Sequence, residues 1–369
     1  MFPLVLSNGP PPNGLKKVAA GGANFIRTGI ADWSTEFVDG QLQNERAKLD
    51  AAHANGLRCW VWLGSVANLP PQPGSDREQL LTKIVNRLKG HPALGAWKGA
   101  DEPAWDKVPV AGLVRAYKKV KALDPEHPLV IIQAPRGTAA ELGPYRPAFD
   151  ITGADIYPVS YPPGIHAGGA NKDISVVGDV TRKMAAASGA KPVWTTLQIA
   201  WSGVAKAGAV PRFPTLHEER FMAYQAIVSG ARGLAFFGGH LTQVMRPADV
   251  KAGWNWTFWE QVLRPLLAEL SSTAVGPALV APAAQAAVKA SEREVELSAR
   301  QAGGFLYVLA VRRGAATSRV TFSGLPAGIG GGQALFEYVQ QQFRTVTVQG
   351  GAFRDWLGPH DARVYRFKT

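Results

Sequence analysis

The chain has 369 residues, 46% hydrophobic and 18% charged, which suits a globular protein of one large or two domains and excludes a disordered or coiled-coil chain. Its 40 Lys and Arg against 28 Asp and Glu give a formal charge of +12, yet the basic residues cluster no further than pairs such as Lys16-Lys17 and Arg312-Arg313. That scatter reads as a basic solvated surface rather than a nucleic-acid patch, and no apolar run approaches the roughly 18 residues of a membrane span. The single cysteine, Cys59, cannot form an internal disulfide, and the seven histidines show no metal-ligand spacing, so neither a metal nor another cofactor is expected. The chain opens on Met1-Phe2-Pro3 and a strand-like segment without a charged leader. The expectation leans to a secreted or periplasmic protein whose leader is absent from this chain, and otherwise to a cytoplasmic one.

Over residues 1–273 one pattern recurs, a short apolar strand followed by an amphipathic or polar helical stretch. The strands are read at Pro3–Leu6, Asn24–Gly29, Arg58–Leu63, Gly95–Ala100, Leu129–Gln133, Ile151–Tyr157, Val193–Gln198 and Leu234–Gly238. Helices are expected at Leu42–Asn55, Asp76–Lys89, Val108–Leu123, Ile174–Ser188, Thr215–Ser229 and Thr257–Ser271. Eight such units in about 270 residues predict an α/β fold, a (β/α)8 TIM barrel. An open doubly wound sheet fits less well, because a proline loop, SNGPPPNG, stands where a glycine-rich phosphate turn would follow the first strand. From 274 to 369 the texture changes to short alternating segments at Phe305–Arg312, Ser318–Phe322, Ala334–Tyr338 and Val364–Phe367. These predict a small C-terminal antiparallel β-sandwich, with the GIGGG run at 328–332 as a flexible hairpin loop and an apolar face docked on the barrel.

In such a barrel the reactive groups stand at the carboxyl ends of the strands. The fourth strand ends in Asp101-Glu102-Pro103, with Trp97 and Trp105 close by. Adjacent carboxylates there can share a proton or divide roles, and Glu102 near apolar indoles is expected to have a raised pKa suited to a general acid. The competing reading is an acidic helix start with proline in its first turn.

The blocks HPALGAWKGADEP, DITGADIYPV, KPVWTTLQIAW and PTLHEERFMAYQAIVSGARGLAFFGG, with the tail FRDWLGPHDARVYRF, resemble the barrel glycoside hydrolases of clan A over nearly the whole chain. The resemblance implies Glu102 as acid/base at the fourth strand, with Asp101 replacing the usual asparagine. It also puts Gln198 where the nucleophilic glutamate of the seventh strand normally stands, a departure that argues against the usual two-glutamate retaining mechanism. Three readings remain open. In one, Asp155 or Asp32 activates water and the enzyme inverts, with Asp155 favoured and about 6.5–9.5 Å from Glu102. In another, similar to hexosaminidases, Asp101 orients a substrate acetamido group while Glu102 protonates the leaving oxygen. In the third, the barrel binds carbohydrate without cleaving it.

Asp155 and Tyr157 lie two apart and are expected on one strand face. Among eleven tryptophans, Trp201, Trp254 and Trp256 are the expected sugar platforms, and Trp60, Trp62 and Trp194 are expected to fill core. His240, at the end of the eighth strand, and Gln198 are further substrate-binding candidates, and Arg136 is placed to touch an anionic sugar. Arg27 and Lys98 are charges inside apolar strands and must pair, turn outward or face the cleft. By spacing, Lys98 shares a face with Glu102, and Arg27 is a candidate support for Asp32 or Glu102. The expected partner is a carbohydrate, neutral or anionic, and no oligomeric state is implied.

Overall fold

A computed structural model describes residues 1–159, 170–199, 212–239, 242, 244–338 and 342–369. Eight parallel strands close into a barrel in chain order: β1 (Leu4–Leu6), β2 (Phe25–Gly29), β3 (Arg58–Trp62), β4 (Leu94–Asp101), β5 (Leu129–Gln133), β6 (Ile151–Ala154), β7 (Val193–Gln198) and β8 (Ala231–Phe237). β8 pairs with β1 and completes the circle. Among the described residues, helices of the outer layer and its connections include α1 (Leu15–Ala20), α2 (Val38–Ala54), α3 (Asp76–Leu88), α4 (Val110–Leu123), α5 (Ala139–Leu142), α6 (Val176–Ser188), α7 (Leu216–Val228), α8 (Pro247–Lys251) and α9 (Trp256–Phe258). None is long and apolar enough to cross a membrane.

Helix starts follow local chemistry. Ser75 caps α3 by accepting from the Glu78 N–H, and Thr215 and Glu218 form a reciprocal capping box at α7. The single helix expected at Thr257–Ser271 is instead α9, a widened π turn over Trp259–Leu263, and α10 (Arg264–Ser271). Pro265 explains the break, since it lacks an N–H and its ring clashes with the preceding turn.

The lumen is filled by inward side chains, among them Val5, Phe25, Trp60, Val130, Ile132, Trp194 and Ala235. Trp60 and Trp194 stack with centroids 5.9 Å apart and form the floor on which the site rests. Trp62, by contrast, is only half-buried. Gly153 lets β6 approach β7, because any side chain there would run into the Trp194 carbonyl.

After α11 (Gly276–Val280) the chain forms β9 (Lys289–Ala290), β10 (Val295–Ala302), β11 (Phe305–Arg312), β12 (Ser318–Ser323), β13 (Gly331–Tyr338), β14 (Gln342–Thr347), β15 (Ala352–Leu357) and β16 (Ala362–Lys368). A five-stranded antiparallel sheet, ordered β10-β11-β16-β13-β14, faces a three-stranded one, β15-β12-β9. Along β11, Leu306, Val308 and Ala310 point between the sheets, whereas Tyr307, Leu309 and Val311 join the core shared with the barrel. Burial on both faces explains why this strand reads as a continuous apolar run. The expected loop at 328–332 is corrected in its second half: Gly331 and Gly332 open β13, and Gly332 leaves room for the Phe367 ring.

Candidate active site

The site begins with a bulge. On β4, Lys98 pairs with Val130 but Asp101 pairs with Ile132, so three steps along β4 match two along β5. One extra residue reverses the alternation, which places Asp101 on the same inward face as Lys98. The Lys98 ammonium, deeply buried, meets the Asp101 carboxylate at 2.5 Å. Spacing alone put Lys98 with Glu102; the bulge makes Asp101 its partner instead. Glu102 then takes φ +41°, a left-handed conformation that few non-glycine residues adopt, while its N–H donates to the Ile132 carbonyl at 2.8 Å. This turn brings a second, adjacent carboxyl to the barrel mouth.

Regular pairing of β6 stops at Ala154, and Asp155 continues with a single bridge to Thr196. Asp155 nevertheless stays beside Tyr157, and its carboxyl adjoins that of Glu102. Two carboxyl groups in contact cannot both ionise at low cost, so the pair holds a proton between them. Burial raises the Asp155 pKa well above the usual carboxylate range, and the Glu102 charge adds to the effect. Glu102 is raised as well, chiefly by burial. Burial also lowers the Lys98 ammonium, against the opposing pull of Asp101.

Together these groups enclose a cavity of about 50 Å³ lined by Arg27, Trp60, Lys98, Asp101, Asp155, Tyr157, Thr196 and Phe237, with Ser7 and Ile132. Its walls are chemically divided. Trp60 and Phe237 supply apolar surface, and Phe237 stacks on Tyr157 at 5.9 Å. Arg27 and Lys98 both lie over Trp62, at 5.1 and 4.8 Å from the ring centroid. The neighbouring charge that Arg27 feels most is Asp101, not Asp32 or Glu102.

The expected site residues separate into two groups. Asp101, Glu102, Asp155 and Tyr157 converge. Asp32 is exposed and outside the cavity lining, and its carbonyl accepts from Gln41. Gln198 is fully buried: its Oε1 accepts from the Val159 N–H at 2.7 Å and its Nε2 donates to the Val159 carbonyl at 2.8 Å. Trp254 is buried too: its indole donates to the Asn8 carbonyl and packs edge-on against Trp256. Trp256 is half-buried, with the Lys17 ammonium 4.5 Å above its ring. Arg136 lies over the exposed Trp105 ring at 4.8 Å. Trp201 and His240 lie outside the described residues. Asp155 and Glu102 adjoin closely enough to perturb each other's ionisation, which speaks against the expected long separation.

Thr196, Ser7 and Trp62 carried no sequence expectation of a site role. Position at the end of an apolar strand is a weak signal for them, whereas the charges of Arg27 and Lys98 are a strong one.

No family model matches the sequence, and no curated protein matches it. Among solved structures, the chain is similar to a protein described as a glycoside hydrolase, at TM-score 0.66 and 14% identity, covering 100% of this chain and 92% of that one. A glycoside hydrolase family 5 protein from Bacteroides vulgatus gives TM-score 0.61 at 13% identity, with 100% and 89% coverage. A maltogenic alpha-amylase from Thermotoga neapolitana gives 0.60 at 10% identity, with 100% and 99% coverage. At such identities the likeness is one of fold, a closed barrel followed by antiparallel sheets.

Proposed function

We propose that the protein is a glycoside hydrolase that retains anomeric configuration through a 2-acetamido group of its own substrate, with Glu102 as acid and then base. One feature carries this reading: the Glu102 and Asp155 carboxyls adjoin at the barrel mouth, close enough for the Glu102 charge to raise Asp155. An inverting pair keeps about 6.5–9.5 Å between its carboxyls to admit a water, and a retaining acid and nucleophile stand about 5–5.5 Å apart. Contact suits neither, and the amide at Gln198 offers no alternative nucleophile. The cavity size agrees. A volume of about 50 Å³ accepts on the order of three or four waters, which suits a substituent such as acetamido and not a sugar ring.

In this mechanism Asp101, held by Lys98, accepts the acetamido N–H and turns the amide oxygen toward the anomeric carbon. That oxygen forms a bond to the anomeric carbon as the glycosidic C–O bond breaks, and Glu102 transfers its proton to the leaving oxygen. Water then attacks the anomeric carbon, Glu102 takes its proton, and the cyclic oxazolinium ion reopens to the acetamido group. Asp155 and Tyr157 act on Glu102 and the cavity through hydrogen bonds, as positioning residues.

The test is a product-resolved screen of aryl glycosides with and without a 2-acetamido group, with the first-formed anomer read by NMR. Retention confined to 2-acetamido substrates is expected, and Glu102→Gln should lower kcat by about 10²- to 10⁴-fold on poor leaving groups. Inversion would refute the mechanism. Saccharide binding with no turnover on any substrate would make the barrel a carbohydrate-binding protein.

A further inference from the structure

We propose that Arg136 and Trp105 form a subsite, on the leaving-group side of Glu102, for a sugar that bears a carboxylate. The inference rests on the glycosidase reading for its side of the cleavage point, and on geometry for its chemistry. Trp105 lies three residues past Glu102 in the loop after β4 and is 55% exposed, unusual for an indole that no partner covers. The Arg136 guanidinium stands 4.8 Å from its ring centroid. The two loops are tied together where the Ala104 N–H donates to Gln133 Oε1 at 3.1 Å. Lys183 clamps the Arg136 loop from both sides, donating to the Pro135 carbonyl at 3.1 Å and the Gly137 carbonyl at 3.0 Å.

Arg182, Arg220, Arg312 and Arg313 each hold a carboxylate. Arg136 holds none among the described residues, and it lies against the Trp105 ring. Glu141, in the same stretch, is spent on the Thr138 N–H at 2.7 Å and hydroxyl at 3.0 Å. Deeper in the mouth, Arg27 and Lys98 face Asp101 and the proton-sharing Glu102–Asp155 pair, so their charge is matched inside the protein. Arg136, in the loop after β5, is thus a cation with no acidic partner among the described residues. A guanidinium lying on an indole keeps its in-plane N–H fork for a planar anion, and a fork binds a carboxylate in two parallel hydrogen bonds. The indole left exposed beside it offers an apolar face for the C–H side of the same sugar. Such a carboxylate can come from a uronic acid or from a lactyl ether on an amino sugar.

The test uses the full chain carrying Glu102→Gln, so that binding is read without turnover. An array holding uronate-containing oligosaccharides, lactyl-bearing amino-sugar oligosaccharides and the carboxyl-reduced counterpart of each would be followed by calorimetry on the members retained. Acidic members are expected to bind better than their reduced counterparts, and the two acidic arms identify the source. Arg136→Gln should weaken acidic members about tenfold or more and leave the reduced ones within about twofold. Trp105→Ala should weaken both alike. Retention of no acidic member, or acidic binding unmoved by Arg136→Gln, would overturn the subsite. Turnover of neutral glycans alone would also overturn it while leaving the glycosidase reading in place. Acidic binding lost with Arg136→Gln, in a wild-type protein that hydrolyses nothing, would retain the subsite and discard the glycosidase.

Discussion

The carboxamide of Gln198 and the peptide of Val159 form a closed two-bond pair, N–H to Oε1 at 2.7 Å and Nε2 to carbonyl at 2.8 Å. Gln198 sits at the end of β7, two residues past Thr196, which lines the cavity. Its amide is spent on pinning the chain that leaves Asp155 and Tyr157. The residue thus supports the site through backbone placement.

Gln198→Glu installs a carboxylate at the end of β7 and is expected to create no nucleophile. A carboxylate cannot donate to the Val159 carbonyl, and the position has no exposure through which to solvate a charge. The variant should lose about 2 kcal/mol or more of unfolding free energy and lose activity with it, as followed by denaturant titration and turnover. Full stability together with a new covalent glycosyl intermediate would show that the amide pair is dispensable.

A second prediction concerns Asp155 and pH. General-acid work needs Glu102 protonated, so activity falls as pH rises through the raised pKa of the carboxyl pair. In Asp155→Asn the amide has no proton to share and donates a fixed hydrogen bond, which favours ionised Glu102. The alkaline limb of kcat/KM should therefore move to lower pH, and kcat should fall. A limb that stays in place, with only KM changed, would make Asp155 a substrate ligand and not a partner of Glu102.

The barrel was legible in the sequence because each strand is a short apolar run and helical stretches recur between them, some with a start signal such as Ser75 or Thr215. The chemistry was legible only where charge conflicted with surroundings. Lys98 and Arg27 had to face a partner, but the choice of Asp101 depends on a one-residue bulge against β5 that no local pattern encodes. Strand alternation would have separated Asp101 from Glu102; the bulge and the positive φ of Glu102 bring them together. The surroundings of Gln198 and Trp254 were illegible for a related reason. Their partners, Val159 and Asn8, are 39 and 246 residues away in sequence, and a polar or aromatic residue at a strand end looks the same whether a ligand or a distant peptide satisfies it.

The C-terminal sheets are expected to be inseparable from the barrel. Arg220 on α7 bridges Glu269 of α10 at 2.8 Å and the Ala362 carbonyl of β16, Arg300 of β10 donates to the Ile227 carbonyl at 3.1 Å, and Arg313 pairs with Asp179 of α6 at 2.8 Å. Deletion after Ser271 would expose the apolar surface of α7 that Tyr307, Leu309, Val311 and Val364 help cover. Expression of residues 1–271 should give insoluble or thermally destabilised protein. A soluble, cooperatively melting fragment that lacks only polymer binding would make the sheets a separate carbohydrate-binding unit.

Glu219 gives a stability prediction with a defined sign. It lies in the first turn of α7, is 0% exposed, and neither carboxyl oxygen has a hydrogen-bond partner among the described residues. Burial raises its pKa well above the usual carboxylate range, and Glu218 nearby adds to the shift. A raised carboxyl pKa means that folded protein keeps a proton which the unfolded chain releases above about pH 4.3. Its contribution is therefore fully present below that pH and is lost as pH rises toward the folded value. Glu219→Met, similar in volume and apolar, removes both the unsatisfied group and this linkage. The variant should be more stable than wild type by about 1–3 kcal/mol at neutral pH, with a gain that widens between pH 5 and pH 8 in parallel denaturant titrations. A gain that is constant across this range would mean that Glu219 is ionised in the folded state, and a loss of stability would mean that the carboxyl is satisfied there.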